Sequence, residues 1–443
     1  MQKRLTEKII QVVLKDLIHQ PTNSKSRAEL ILDCLFEGRK GISWDFRCDL
    51  YFFFLKTIVT KMMKENRELI DTVKKGYCDY SIFKKALNKA LKLYLTSIVE
   101  YGITTPQKFS FPFLVEFELT NKCNLACKHC YANAGKELAD EINTQEAKEI
   151  LNQLNNIGVP IVCFTGGEPF LRADFFELLE HSNKIGLLTV ITSNGTLITK
   201  ESAARLKELQ VEYIRISLDS ATPKTHDWLR GMPGAYEQTI QGIKNSIQAG
   251  IKTGVTTVLI QENSSEMEQM IELLSQLGCS DFTVCRLFPL GKGSSLQNSL
   301  LNKEELSKVE SRISAKAKEH PNLLMNPLTL EGRIHSKKDM LRKITDMIGG
   351  CPAGLNVCAI TPKGEIKPCA LMSITAGDFK KQKFEEVWKN SRLFNELRDR
   401  SLLKGKCSAC EFKFSCGGCR ATAYGYTGDY LETDPITCML RIK

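Results

Sequence analysis

The spacing of apolar and polar residues changes along the 443-residue chain. In residues 1–105 apolar side chains recur at helical spacing, most clearly in Ser81–Val99, where lysines take the opposite side. Two further helices are predicted at Leu5–Ile18 and Arg27–Phe36, and no strand alternation is visible. The pattern therefore predicts an all-helical N-terminal domain.

From residue 113 onward, runs of strand length alternate with helical patterns. Six strands are predicted: FLVEFELT, IVCFTGG, LLTVITSNG, YIRISLDS, GVTTVLI and FTVCRLFPL. Five helices are predicted between them: Gln145–Asn156, Phe175–Lys184, Lys200–Leu209, Tyr236–Ala249 and Glu266–Gln276. Alternation of this kind predicts an α/β fold with a parallel sheet and right-handed crossovers.

The remainder of the chain has a different texture. A charged helix at Lys303–Glu319 leads into a polar connector, and the last part is rich in Gly and Cys with few apolar runs. We expect ligated metal to replace an ordinary core there. The predicted domains are residues 1–105, 106–300, 301–345 and 346–443, the third being a helical linker.

Charge and hydropathy limit the binding partners and the cellular compartment that we expect for this protein. The net charge is +10, and residues 1–110 hold 20 Lys and Arg against 12 Asp and Glu. The simpler interpretation of this positive charge is a solvated basic face, and the alternative is a surface for a negatively charged partner. No nucleic-acid partner is expected. The longest apolar cluster, Leu50–Leu55, is far short of a membrane span, and the N-terminus lacks a signal-peptide pattern. We therefore expect a cytoplasmic protein without a membrane span.

The chain has 17 cysteines, which are not expected to form a disulfide framework because the cytosol is a reducing compartment. Three tight groups stand out: Cys123, Cys127 and Cys130; Cys351, Cys358 and Cys369; Cys407, Cys410, Cys416, Cys419 and Cys438. Cys163 and Cys285 fall on predicted strands, where we expect buried small hydrophobes. The grouping indicates metal or redox chemistry.

The first cysteine group follows the first predicted strand directly. Three thiolates in one short loop can hold three irons of a [4Fe–4S] cubane and leave the fourth iron open. Two alternatives are a zinc site that borrows a fourth ligand, such as His129, and three unligated thiols.

The second strand ends in the turn Thr165–Pro169, which reads Thr-Gly-Gly-Glu-Pro. Together with the CxxxCxxC loop one βα unit earlier, this turn resembles the radical S-adenosylmethionine (radical SAM) superfamily, whose fold is a partial (βα)6 barrel. The resemblance implies that Cys123, Cys127 and Cys130 ligate the cluster. It also implies that Gly166, Gly167 and Glu168 line the methionyl end of SAM.

Other family positions match by their place at strand ends. The resemblance implies contacts to the SAM carboxylate and ribose from Ser193, Asn194, Ser217, Asp219 and Arg230. The alternatives are a simple turn at Asn194, a helix cap at Asp219 and a surface arginine at Arg230. His129 and Tyr131 flank Cys130 where the family usually has an aromatic side chain near adenine.

The C-terminal cysteines resemble the SPASM domain, an appendage of radical SAM enzymes with two auxiliary clusters. The resemblance implies two ligand sets: Cys351, Cys358, Cys369 and Cys419; Cys407, Cys410, Cys416 and Cys438. Cys358 lies outside the seven-cysteine array of the motif, so the first auxiliary cluster could be incompletely ligated. A zinc ribbon is the alternative for Cys407 to Cys419. Three [4Fe–4S] clusters are therefore expected.

The resemblance implies reductive cleavage of SAM to a 5′-deoxyadenosyl radical, which removes hydrogen from the substrate. It also implies a low-potential electron donor of flavodoxin or ferredoxin type, and auxiliary clusters that conduct electrons. Ala370-Leu371-Met372 after Cys369 disfavours a sulfatase-maturing enzyme, which has Gln-Met-Asp there. Our leading hypothesis is oxidative modification of a peptide or protein. The alternatives are radical tailoring of a small cofactor such as a tetrapyrrole, and a non-enzymatic electron-transfer protein. No catalytic side chain is assigned.

Overall fold

The computed structural model describes residues 21–22, 25–26, 89–90, 92–94, 96–98, 100–102, 104–327 and 350–441. The chain divides into two units, Met1–Ser110 and Phe111–Lys443. In the first unit, the described residues of 89–101 are helical, as predicted. Pro21–Thr22 pairs antiparallel with Lys25–Ser26, a short ladder that the sequence pattern did not predict. The predicted helices at Leu5–Ile18 and Arg27–Phe36 lie outside the described residues.

The second unit is built on a sheet whose six central strands run parallel in chain order. These strands are β1 Leu114–Glu118, β2 Ile161–Thr165, β3 Leu188–Ser193, β4 Tyr213–Ser217, β5 Lys252–Leu259 and β6 Asp281–Arg286. All six predicted strands are present. Their carboxyl ends therefore share one edge of the sheet, where ligand sites of parallel sheets form.

Helices connect the strands and cover one face of the sheet. They are α1 Thr144–Ile157, α2 Phe175–Lys184, α3 Lys200–Glu208, α4 Pro223–Arg230, α5 Ala235–Gln248, α6 Met267–Leu277 and α7 Lys303–Ala317. Short 3-10 turns lie at Pro169–Leu171, Gln261–Glu266 and Gly291–Ser299. A capping box of Asn143 and Glu146 begins α1, and Gly158 ends it with a φ of 93°.

The C-terminal region extends the same sheet. β7 Leu324–Pro327 pairs parallel with β6, and β8 Val357–Ile360 pairs parallel with β1. β9 Glu365–Lys367 and β10 Gly377–Asp378 follow β8 in antiparallel order. The helices of this region are α8 Phe384–Asn390, α9 Arg392–Arg398, α10 Gly405–Ser408, α11 Arg420–Thr427 and α12 Pro435–Arg441.

The expectation that this region lacks an ordinary core was wrong in part. Phe384, Trp388 and Phe394 are buried and belong to the same apolar core as the central strands. Trp388 packs edge-on against Phe394, with ring centroids 5.2 Å apart. Because β8 continues the sheet, the region shares a core that its own short apolar runs could not form.

The two faces of the six central strands differ in burial. Val115, Phe117 and Phe164 on the helix-covered face are fully buried, whereas Glu116 and Cys163 on the opposite face are partly exposed. This opposite face is called the inner face below. Among the described residues, no helix is both long and apolar enough to cross a membrane.

Truncation of the core aromatic Phe164 tests the packing of the helix-covered face. Phe164 lies between Phe117 and Phe175, with centroids at 6.1 and 6.5 Å. Phe164→Ala is expected to lower the free energy of unfolding by about 3–5 kcal/mol, because it removes buried contacts and leaves a cavity. Anaerobic urea titration measures this, and Leu402→Ala, at an exposed side chain, should cost under about 1 kcal/mol. Equal costs would show that the core is not organised as described.

Candidate active site

The loop after β1 carries the first cysteine group and is held by hydrogen bonds at its start and in its middle. The Cys123 amide donates to the Gly135 carbonyl at 2.8 Å. Further along, the Ala126 and Lys128 amides donate to the carbonyls of Arg230 and Leu229 at 3.1 and 2.9 Å. The end of α4 therefore holds the middle of this loop, which we call the cluster loop.

The three thiols of the cluster loop are electrostatic neighbours. Burial raises the pKa of Cys123 to about 11, and Glu168, Cys127 and Cys130 add to the shift. Within the described residues, no three Cys, His, Asp or Glu side chains converge on one metal ion. A cubane does not need such convergence, because each thiolate binds its own iron. The donor set fits a [4Fe–4S] cluster whose binding displaces the thiol protons.

The turn after β2 lies directly against the cluster loop. A Cβ at Gly167 would come within 2.2 Å of the Lys122 carbonyl oxygen, and a Cβ at Gly166 within 2.5 Å of the Thr120 carbonyl oxygen. The Gly167 amide donates to the Thr120 carbonyl at 2.7 Å, and the Glu168 amide donates to the Lys122 carbonyl at 2.8 Å. Only glycine permits this approach, and Gly166 also has a φ of 130°.

Glu168 is fully buried, and its carboxylate is oriented by the end of β3. It accepts hydrogen bonds from the Ser193 hydroxyl at 2.9 Å and the Asn194 amide at 2.8 Å. Burial raises the pKa of Glu168 to about 7, against the lowering effect of these bonds. A buried carboxylate beside the cysteine thiols provides a site for a cationic amino group.

Asn194 links β3 to the cluster loop. The side-chain nitrogen of Asn194 donates to the side-chain oxygen of Asn124 at 2.9 Å, and the side-chain nitrogen of Asn124 donates to the Thr196 hydroxyl at 2.8 Å. The side-chain oxygen of Asn194 accepts from the Thr196 amide at 2.9 Å. Asn194 therefore forms the predicted turn and also tethers the cluster loop.

Asp219 and Arg230 form a buried ion pair, with Arg230 Nε 2.7 Å from Asp219 Oδ2. Burial opposes ionisation of Asp219, but the charge of Arg230 and the nearby His129 and His226 lower its pKa. Arg230 Nη1 lies 3.8 Å from the Cys127 sulfur. The arginine is thus neither a surface residue nor free of protein partners, and Asp219 is not a helix cap.

His129 and Ser217 complete the strand-end residues. His129 Nε2 lies 3.7 Å from Asp219 Oδ2, and burial lowers the histidine pKa to about 4. Ser217 is partly buried at the end of β4, opposite Thr256 of β5. The predicted SAM-contact residues therefore all lie along the carboxyl edge of the central strands.

The structure brings three cysteines of the first auxiliary set together. Burial raises the pKa of Cys369 well above its usual range, and the neighbouring Cys351 and Cys419 thiols add to the shift. Cys358 lies apart from them, on β8 opposite Val115 and within the main apolar core. Its ionisable neighbours are Glu116 and Arg398. The geometry favours a three-cysteine set, and Cys358 as a ligand stays a prediction.

The second auxiliary set is also gathered. Burial raises the pKa of Cys438, and its neighbours Cys407 and Cys410 raise it further. Cys416 lies beside Cys351, whose amide donates to the Cys416 carbonyl at 3.1 Å, and Arg400 is a charged neighbour of Cys351, Cys407 and Cys416.

Two buried arginines stand among these thiols. Arg400 donates to the Cys351 carbonyl at 2.9 Å, and Arg420 Nη2 lies 3.8 Å from the Cys407 sulfur. Both side chains are almost fully buried, and Arg420 Nε has no hydrogen-bond partner within the part of the chain that the structure describes. A buried cation needs compensating negative charge, which thiolate-bound clusters would supply. The site thus fits anionic iron–sulfur clusters.

The inner face forms a polar surface below the strand-end residues. Cys163 lies 3.4 Å from the Thr192 hydroxyl, and Arg215 Nη2 lies 3.1 Å from Asp281 Oδ1. Tyr131 is 38% exposed, yet Glu116, Glu118, Cys130 and Cys163 all affect its ionisation. Its hydroxyl group therefore lies near the charged groups of the inner face. Cys163 lines this surface and is not an ordinary buried hydrophobe, contrary to expectation; Cys285 is partly exposed on the same face.

The C-terminal region closes one side of the inner face. Lys367 Nζ pairs with Glu118 Oε1 at 3.0 Å, and the Ala370 amide donates to Glu116 Oε2 at 3.1 Å. Cys369 lies between these two contacts in the chain. The cluster loop and the first auxiliary cysteines therefore border the same inner face.

Comparison with known proteins agrees with these motifs. Residues 117–274 match the model of the radical SAM superfamily, and residues 351–411 match that of the SPASM iron–sulfur cluster-binding domain. An AdoMet-dependent heme synthase of Methanosarcina barkeri is 37% identical over 343 residues, covering 74% of this chain and 97% of that protein. The chain belongs to the radical SAM superfamily.

One further relative and one solved structure are also similar to this radical SAM/SPASM enzyme. The mycofactocin maturase MftC of Mycobacterium tuberculosis is 30% identical, covering 74% of this chain and 83% of that protein. The crystal structure of Streptococcus suis SuiB bound to S-adenosylmethionine matches with a TM-score of 0.68 at 19% identity, covering 94% of this chain and 93% of that chain. The SuiB match supports the fold, and the family implies iron–sulfur clusters and SAM binding.

Sequence reasoning did not select the inner-face residues Glu116, Glu118 and Arg215 of this radical SAM enzyme, or the buried Arg400 and Arg420. Charged residues in the middle of otherwise apolar strands could have indicated the first three. Arg420 follows a motif cysteine directly, but Arg400 has no local signal in the sequence.

The raised pKa of Glu168 predicts a pH dependence of SAM binding. The ammonium of SAM requires the ionised carboxylate, and with a pKa of about 7 Glu168 is mostly protonated at low pH. Affinity should rise about tenfold between pH 5.5 and 7. Glu168→Gln should bind weakly without this pH dependence, and the exposed control Glu208→Gln should behave as wild type. Anaerobic titration calorimetry measures both, and a pH-dependent Glu168→Gln would contradict the assignment.

The separation of Cys358 from the other thiols predicts unequal roles. Three cubane clusters would give about twelve irons per chain. Cys358→Ser should keep that content, since the thiol lies in the apolar core, whereas Cys369→Ser should lose about four irons. Iron and sulfide analysis after anaerobic reconstitution distinguishes the two. Equal losses would restore the four-cysteine set.

Proposed function

We propose that this enzyme uses radical SAM chemistry to tailor a tetrapyrrole, and that it holds three [4Fe–4S] clusters. The observation that carries the substrate class is the heme synthase match, at 37% identity and across 97% of that protein. The maturase match covers the same share of this chain at 30% identity. The alternative drawn from the sequence, tailoring of a small cofactor, is therefore favoured over peptide modification.

The strand-end residues would bind and orient the reactants. Cys123, Cys127 and Cys130 would hold the first cluster, and Glu168 would receive the amino group of SAM. When bound, the cluster and SAM supply the 5′-deoxyadenosyl radical that removes hydrogen from the substrate. The chain contributes the backbone contact between the β2 turn and the cluster loop, which keeps Glu168 beside these thiols.

The inner face would hold the substrate between the two cysteine regions. Heme precursors have carboxylate side chains, and Arg215 and Lys367 place positive charge on this face, where they are paired with Asp281 and Glu118. Cys369 lies two residues after Lys367 in the chain. When the substrate radical is oxidised, its electron could therefore pass to the first auxiliary cluster, which Cys369 would help to ligate. Met372 is buried at the place where sulfatase-maturing enzymes have an acidic residue, so no base is supplied there.

Peptide modification stays the second candidate because of the maturase match. Its substrate would occupy the same inner face. The two candidates predict different products in the same assay.

The test is an anaerobic incubation with SAM, dithionite and iron coproporphyrin III, a carboxylated heme precursor. We expect a SAM-dependent change in the porphyrin mass and stoichiometric 5′-deoxyadenosine, both read by mass spectrometry. Cys127→Ala, which lacks a cluster ligand, serves as the control and should yield neither product. Formation of 5′-deoxyadenosine with an unchanged porphyrin would contradict the tetrapyrrole proposal and favour a peptide substrate.

A further inference from the structure

The outer side of α4 presents an exposed basic and aromatic surface. Lys224 and Trp228 stand one helical turn apart on this side, whereas His226 and Leu229 face inward. The ammonium of Lys128 lies 5.4 Å from the Trp228 ring centroid. Lys128, Lys224 and Trp228 are called the α4 patch below.

The α4 patch lies close to the cluster ligands. Lys128 follows Cys127 in the chain, and its amide donates to the Leu229 carbonyl at 2.9 Å. Arg230, two residues after Trp228, reaches the Cys127 sulfur at 3.8 Å. A molecule bound to the patch would therefore lie next to Lys128, the chain neighbour of Cys127. The Arg230 side chain forms a second connection between the end of α4 and the Cys127 sulfur. Electron transfer falls steeply with distance, so this position favours delivery of an electron to the cluster loop.

The exposure of Trp228 is unusual for so large an apolar ring. It is 41% exposed and is one of four exposed large hydrophobic side chains among the described residues. Isolated tryptophans of this kind are enriched at protein interfaces, because the ring buries much area at a small entropic cost. The lysine ammonium over the ring adds a cation–π contact without covering it fully.

The charge of the patch is locally positive. Residues 111–443 as a whole carry 41 Lys and Arg against 39 Asp and Glu, close to neutrality. The neighbouring Asp227 is engaged, because its oxygens accept the Gly234 and Tyr236 amides at 2.6 and 2.8 Å. The carboxylate near the two patch lysines, that of Asp227, is thus already hydrogen-bonded to backbone amides between α4 and α5. This arrangement is complementary to an acidic partner.

We propose that the α4 patch docks the reducing partner of this enzyme, a small acidic one-electron carrier protein. Carboxylates around the carrier's redox centre would face Lys128 and Lys224, and Trp228 would supply the apolar contact. The reduced carrier loses one electron and the iron–sulfur site of the cluster loop gains it, without transfer of atoms. The inference rests on the proposed function, since only a site that consumes a reducing electron needs such a carrier.

The test compares two reductants in the reconstituted full-length enzyme. The rate of 5′-deoxyadenosine formation is measured with dithionite and with an enzymatically reduced, acidic flavodoxin at subsaturating concentration. Lys224→Glu and Trp228→Ala, both outside the cysteine loop, should lower the flavodoxin-driven rate about tenfold and leave the dithionite-driven rate unchanged. The flavodoxin-driven rate of wild type should also fall with added salt.

Charge reversal on α7 provides the matched control. Lys308 is exposed on α7 and Lys318 is exposed directly after its last residue, and Lys308→Glu with Lys318→Glu should leave both rates at the wild-type level. A flavodoxin-driven rate that is unchanged in the patch variants, or that falls equally with both reductants, overturns the docking site. A wild-type enzyme that forms no 5′-deoxyadenosine with dithionite would instead overturn the proposed function.

Discussion

The carboxyl edge of the sheet depends on one close backbone contact. The turn after β2 donates two amide hydrogen bonds to carbonyls at the start of the cluster loop, and glycine at Gly166 and Gly167 is what lets the chains approach. Glu168 follows at once, and its burial places a carboxylate beside the cysteine thiols. This contact and the Asn194 tether together fix the position of the predicted SAM-binding carboxylate relative to the cluster loop.

Buried charge is the second organising feature, and it is matched differently in two places. At the strand ends Asp219 balances Arg230 within the protein. In the C-terminal region Arg400 and Arg420 lie among cysteines, where ligated thiolates would add negative charge. The first arrangement forms within the chain, whereas bound clusters would complete the second. Cluster binding is therefore expected to stabilise the C-terminal region.

Local sequence patterns predicted the strands, helices and cysteine motifs. They did not predict which residues far apart in the chain come into contact. The six strands follow from apolar runs, and the first cluster loop and the Gly-Gly-Glu turn follow from their spacing in the chain. The pairing of β8 with β1 joins segments more than 230 residues apart, and no local pattern encodes it. That pairing buries Cys358, which lies outside the seven-cysteine motif and was placed with the auxiliary ligands only by the family resemblance. The partners of Arg230 were hidden for the same reason, since Asp219 and Cys127 reach it only in the fold.

We propose that the cluster loop and Glu168 form a centre that cleaves SAM reductively. The direct measurement is the formation of 5′-deoxyadenosine and methionine by the anaerobic, reconstituted enzyme with SAM and dithionite alone. We expect both products from the wild-type enzyme, and neither from Cys123→Ala with its auxiliary clusters intact. Absence of both products from a wild-type enzyme whose clusters are intact and reduced would show that this centre does not cleave SAM.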